Sequence, residues 1–313
     1  MRRVVLLAVL LPVAACGGDS AGDARSATLA LDFQPNAVHA GIYAASRLEH
    51  DRRSGVDLEL RVPSASIDSL KLLAAGRADL AVVDIHDLGL ARERGRDVVG
   101  VGALVQRPLA AVIARGGEIR RPRDLEGRRV GVTGLPSDEA LLRAVVEGDG
   151  GEFDEVRRVT IGFSAVPTLI AGRVDAVVSF WNVEGVALRE RGVATREFRV
   201  DEFGAPRYPE LVLAVERETL EAEPELVDDV LAALRAGTRA ALADRPAAVA
   251  DIAGASAGDE ALVRAQLDAV APALRPPLAL DRAALMEWAT FDARFGILER
   301  PPDVEKAFAL PPS

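Results

Sequence analysis

"AGRADLAVVD" at residues 75–84 returns as "AGRVDAVVSF" at residues 171–180, 96 positions later. In both copies a helical pattern (Ser69–Ala75, Thr168–Ala171) stops at Gly-Arg, one residue intervenes, and an Asp opens a run of Ala and Val. Glycine suits the left-handed position that ends a helix, and arginine suits the negative end of the helix dipole. The phrase reads as a tight helix-to-strand turn. Such turns occur throughout α/β proteins, but these two lie midway through two separate α/β stretches. That placement favours two similar lobes over one large sheet.

Working outward, short apolar runs appear at Thr28–Phe33, Leu58–Val62, Leu80–Val83, Val98–Val105, Leu109–Ala114, Val130–Thr133, Val156–Ile161, Val174–Phe180 and Leu211–Val215. Helical patterns fill many of the gaps, at 38–50, 66–75, 137–148, 165–172 and 182–192. Strands alternating with helices predict βαβ units and mainly parallel sheets. Beyond about residue 217 the pattern turns to helices alone, at 222–243, 258–272 and 281–295, with apolar spacings of three and four such as Leu226, Val230, Leu231 and Leu234. Pro301-Pro302 and Pro311-Pro312 mark an irregular tail.

The N-terminus reads as an export leader. Arg2-Arg3 precede an apolar run from Val4 to Val13, and small residues stand before Cys16. That order describes a cleaved secretory signal, too short for a membrane span. Val13-Ala14-Ala15-Cys16 resembles a bacterial lipobox, which makes residues 1–15 a lipoprotein signal peptide, Cys16 a lipid anchor and residues 16–25 a tether. Cys16 is the single cysteine of the chain, so the mature body has no disulfide, thiolate metal site or cysteine nucleophile. The formal charge is −10, and −12 once Arg2 and Arg3 are removed, which argues against a nucleic-acid partner. With 313 residues and 49% hydrophobic content there is material for two cores.

Several stretches, in order, carry a family resemblance: Leu31-Asp32-Phe33-Gln34-Pro35-Asn36 followed by His39-Ala40-Gly41-Ile42-Tyr43; Ala103–Pro108; Pro122–Val132; Gly172–Ala176; and Trp181-Asn182-Val183-Glu184. Together they resemble the substrate-binding proteins that deliver thiamine pyrimidine precursors to ABC importers, within the wider sulfonate, nitrate and taurine-binding group. The resemblance runs from about Leu29 to about Arg239. It implies a two-lobed α/β periplasmic-binding-protein fold, type II-like, with the ligand cleft between lobes. The crossings are expected near Ala114–Glu118 and Val200–Pro209, giving lobe one as 26–115 plus 206–313 and lobe two as 116–205. It also implies a monomer outside the cytoplasmic membrane, an ABC permease and its ATPase as partners, and no cofactor, metal or catalysis.

An aminopyrimidine is flat, with ring nitrogens that accept hydrogen bonds and an exocyclic amine that donates. It calls for aromatic faces, a carboxylate and amide or imidazole groups. Phe33 or Tyr43 is expected to supply one face and Trp181 the other. Glu184 resembles the family's acidic partner of the pyrimidine edge; Asn36 and His39 follow the first strand as further contacts, and Asp84 and His86 form a second patch. The family more often has Trp where Phe33 stands. Ser137 reads as a helix N-cap, and the acids Asp138 and Glu139 after it compete with any anion for that helix end.

Riboflavin, sulfonates and nitrate-like anions are the alternative ligands among relatives of this fold. An alternative of another class is a pyrimidine-synthesising enzyme, which in eukaryotic relatives sacrifices a histidine and holds pyridoxal phosphate on a lysine. Ile85-His86 resembles that histidine. Yet Ala81–Asp84 holds no lysine, Arg207-Tyr208-Pro209-Glu210 stands where the cysteine-rich loop would be, and Lys71 and Lys306 are the chain's only lysines.

Overall fold

Both copies of the repeated phrase fold in the same way. The computed structural model describes residues 24–63 and 68–310, so the leader and Cys16 lie outside the described residues. Gly76 (φ +61°) and Gly172 (φ +67°) take the left-handed conformation. The next amide turns back in each case, Arg77 N–H to the Leu72 carbonyl at 2.9 Å and Arg173 N–H to the Thr168 carbonyl at 3.2 Å. The Asp then clamps the neighbouring strand twice. Asp79 donates its N–H to the Thr28 carbonyl (2.9 Å), and its carboxylate accepts the Thr28 N–H (2.7 Å). Asp175 does the same with Arg129, at 2.8 Å for both bonds.

These turns feed two sheets of one topology. The first contains β1 (Arg25–Ala30), β2 (Val56–Arg61), β3 (Leu80–Asp84), β4 (Val98–Ala103) and β10 (Leu211–Glu216), in the order β2-β1-β3-β10-β4. The second contains β5 (Ala110–Arg115), β6 (Arg129–Val132), β7 (Arg157–Thr160), β8 (Ala176–Phe180) and β9 (Thr195–Arg199), in the order β7-β6-β8-β5-β9. Strand for strand the two orders coincide, with β10 and β5 as the antiparallel member of each. Leu80–Val83 and all of β4 are buried. Helices cover both faces, so these strands are continuous apolar runs rather than alternating ones.

The chain crosses between lobes at residues 104–109 and again at 200–210. The expected first crossing at Ala114–Glu118 is therefore corrected, and with it the end of lobe one at residue 115. Ala110–Arg115 pairs with β8 and β9 in the second sheet. Its apolar run carries no local mark of which sheet it joins; the turn at Gln106-Arg107-Pro108 decides that.

After β10 come helices Arg217–Ala222, Pro224–Ala243, Arg245–Ser256, Glu260–Val270 and Arg282–Arg294. The chain's end returns to the first sheet, where the Ala309 N–H bonds the Gly100 carbonyl at 2.9 Å. No helix among the described residues is long and apolar enough to cross a membrane.

Candidate functional site

Parallel strands end, and antiparallel β5 and β10 begin, at the same edge of each sheet. The two edges face one another, as expected for ligand sites in open α/β sheets. A cavity of about 150 Å³ lies there, lined from the first lobe by Asp32, Phe33, Asn36, Asp84 and Asp87, and from the second by Thr133, Asp138, Phe163, Phe180, Asn182 and Glu184. Glu210, just before β10, and Leu109, just before β5, complete its floor.

Its ionisable lining consists of six carboxyl groups, Asp32, Asp84, Asp87, Asp138, Glu184 and Glu210. No Lys, Arg or His lines it among the described residues. Crowded acids in a sheltered site hold their protons. Burial, with the charge of Asp84, raises Asp87 to about 7 and Glu210 to about 8. Burial also raises Asp84 itself, against the pull of His86. Glu210 accepts the Leu109 N–H at 2.6 Å, tying the two crossing segments together at the cavity floor.

The acids of the second lobe are already engaged. The Asp138 carboxylate accepts the N–H groups of Thr133 (2.6 Å) and Gly134 (3.0 Å) and the Thr133 hydroxyl. It takes up the amides just before helix Pro136–Gly148, a place of the kind where helix ends hold anions. The sequence reading of Ser137 as the N-cap is corrected: Ser137 lies inside the helix. Pro136 takes the first helical position and Leu135 the cap, in line with proline's fixed φ. Glu184 accepts the Phe180 N–H at 3.2 Å, and burial raises its pKa.

Of the eight expected ligand contacts, Phe33, Asn36, Asp84 and Glu184 line the cavity, whereas His39, Tyr43, His86 and Trp181 do not. His39 is buried and spans two partners: its Nδ1 accepts the Asn36 N–H (3.2 Å) and its Nε2 meets Asp32 Oδ1 at 2.7 Å. It orients a cavity acid without facing the cavity. Tyr43 packs against the helical core of the first lobe. Trp181 is 1% exposed, and its indole N–H donates to the Pro108 carbonyl at 3.0 Å. The Arg199 guanidinium lies 4.1 Å above its ring. A Trp that follows a buried strand is drawn into the core, and the aromatic opposite Phe33 is Phe163. Those two rings, one per lobe, stand 6.0 Å apart at a 35° tilt.

His86 turns away from the cavity. Its Nδ1 meets both oxygens of buried Asp292 at 2.8 and 2.9 Å, and its Nε2 meets the Tyr208 hydroxyl at 3.1 Å. Burial opposes its charge, but Asp292, Asp84 and Glu210 outweigh that and push the imidazole to about 10. Asp84, His86 and Glu210 each bring one polar atom within 4.8 Å of the others, a spacing a metal could use. A protonated imidazole with both nitrogens engaged is a poor metal ligand.

Sequence reasoning missed Asp32, Asp87, Asp138 as an internal acceptor, Phe163, Glu210 and Asn182. Asn182 is the most telling. It is fully buried and lines the cavity, and neither Oδ1 nor Nδ2 has a partner among the described residues.

Residues 36–248, two thirds of the chain, match the family described as NMT1/THI5 like. The chain belongs to that family. It is 34% identical over 231 residues to the formylaminopyrimidine-binding protein of Halalkalibacterium halodurans, covering 72% of this chain and 70% of that one. It is 29% identical over 198 residues to a putative thiamine biosynthesis protein of Haemophilus influenzae, covering 62% of each. Family members called 4-amino-5-hydroxymethyl-2-methylpyrimidine phosphate synthase, such as THI5 of Saccharomyces cerevisiae, are 24% identical over 230 residues, covering 69% of this chain and 67% of theirs. The fold is that of the periplasmic aliphatic sulphonate-binding protein SsuA of Escherichia coli, with a TM-score of 0.74 at 18% identity over 90% of this chain and 97% of that one.

Proposed function

We propose that this chain is an exported, lipid-anchored solute-binding protein that hands a neutral, amine-bearing pyrimidine precursor of thiamine to an ABC importer. The carrying observation is the cavity lining: six carboxyls, the carboxamides of Asn36 and Asn182, one per lobe, and the rings of Phe33, Phe163 and Phe180, with no basic side chain among the described residues. Protonated and ionised carboxyls together accept from and donate to an exocyclic amine and ring nitrogens, and phenyl faces take a flat ring. A sulfonate or nitrate would find like charge and amides already taken up by Asp138. The name of the Halalkalibacterium relative supports the pyrimidine reading. Against the enzyme reading, His86 is locked to Asp292 and Tyr208 and does not face the cavity.

Delivery requires that the lobes close on the ligand, since a permease must distinguish loaded from empty protein. Contacts from both lobes supply the differential affinity for closure. Anchoring through Cys16 is tested by incorporation of labelled fatty acid in the native host, lost in Cys16→Ser.

Calorimetric titration of the purified protein with 4-amino-5-hydroxymethyl-2-methylpyrimidine, its N-formyl aminomethyl analogue, riboflavin, taurine and nitrate tests the ligand class. Binding of one or both pyrimidines, and of neither taurine nor nitrate, is the expected result. Binding of taurine or nitrate in preference to the pyrimidines overturns it.

A further inference from the structure

Asn182 holds an unusual position. A carboxamide buried without hydrogen bonds forfeits its hydration and gains nothing in exchange, and native chains rarely leave one so. Its direction is fixed by its neighbours. Trp181 before it is pinned to Pro108 and roofed by Arg199, and Glu184 after it accepts the Phe180 N–H. Residues Trp181–Gly185 form a π-helical turn, a wide turn of the kind found at functional sites. The amide is dry and unpartnered among the described residues, and the residue that carries it lines the cavity.

A carboxamide offers an acceptor and a donor side by side. Its natural complement is an edge that presents a donor beside an acceptor, such as an exocyclic amine next to a ring nitrogen. The same pairing lets Asn read adenine with two hydrogen bonds. An ionised carboxylate, which only accepts, cannot make that pair.

We infer that Asn182 is the specificity-determining residue that pairs with the amine and adjacent ring nitrogen of the ligand, leaving the carboxyls to surround the rest of it. This rests on the pyrimidine reading above. On ligand binding both unpaired atoms gain partners, so the cost stored in the empty protein is returned as selectivity. The carboxamide is thus unfavourable for folding alone and favourable for binding.

The test measures both sides. Asn182→Leu keeps the size and removes both polar atoms; Asn182→Ala removes them without any risk of overpacking. Each is titrated with 4-amino-5-hydroxymethyl-2-methylpyrimidine, and each is melted without ligand. Two lost neutral hydrogen bonds should weaken binding roughly ten- to hundredfold. The unliganded Asn182→Leu protein, with no buried amide to satisfy, should melt no lower than wild type. Affinities within about twofold of wild type in both variants overturn the inference while the pyrimidine reading stands. A large fall in unliganded melting temperature for Asn182→Leu also overturns it, because that marks a structural role. If wild type binds only the N-formyl aminomethyl analogue, the variants are titrated with that compound instead; wild-type protein that binds neither pyrimidine removes the functional reading and this inference together.

Discussion

His86 and Asn182 occupy the same place in the duplicated phrase, two residues beyond Asp84 and Phe180 respectively, at the same edge of two sheets with the same strand order. Both are fully buried polar side chains. One is completely partnered, the other has no partner among the described residues. The difference begins in the backbone. After β3 the chain enters an α-helix whose N-cap is Asp84, which accepts the His86 N–H at 2.8 Å, and the imidazole points down towards the C-terminal helix that carries Asp292. After β8 there is no acidic cap, Trp181 sinks into the core, and Asn182, in the π-turn, lines the cleft. Duplication supplies the scaffold twice, and the cap residue decides whether the polar group at its tip serves stability or recognition.

The largest effect that would break this contrast lies on the partnered side. Asp292→Ala leaves a protonated histidine buried without its counter-charge and should cost about 3–5 kcal/mol, read from denaturant unfolding. The pair also sets a pH dependence. The folded imidazole, near 10, binds its proton more tightly than the unfolded one, near 6.5. The stability it contributes is full below about 6.5 and is lost as pH rises through about 10. Glu210 and Asp87, raised to about 8 and 7, act in the same direction from lower pH. Melting temperature should therefore fall between about pH 6.5 and 9.5 in wild type and fall less steeply in the Asp292→Ala protein. An unchanged slope would mean that the His86 pair is not its source.

The smallest effect sharpens what the two lobes share. Asp79→Asn and Asp175→Asn each weaken one strand clamp, and each should lower stability by no more than about 1 kcal/mol. Similar values from the two sites would support a common role for the clamp; a loss confined to one lobe would show that the copies have diverged energetically.

Much of this was legible in the sequence. Gly-Arg-x-Asp needs only local chemistry, so the turn and the register of β3 and β8 can be read directly. The strand β9 escaped notice because Arg196, Glu197 and Arg199 give it no apolar run; it is an edge strand that pairs only with β5. Helix Arg245–Ser256 is rich in alanine and has little apolar asymmetry to detect. In the site, Phe33, Asn36 and Asp84 were found because they stand at or just beyond strand ends, and Glu184 through the family resemblance. Trp181 and His86 follow strand ends too, but their partners, Pro108, Arg199, Asp292 and Tyr208, are distant in sequence, and no periodicity reports them. Asn182 could have been found by aligning the two phrases two residues further.

The order in which the strands leave the ribosome follows from the two crossings. All five strands of the second sheet lie between residues 110 and 199, so that sheet is complete once this uninterrupted segment has emerged. The first sheet has four strands by residue 103 but lacks its fourth-placed member, β10, until residue 216. Along the chain, the lobe begun first is thus completed last: β3 and β4 have no strand to stand between them until residue 211, and the strand that fills that place follows directly on Glu210, which lines the cavity.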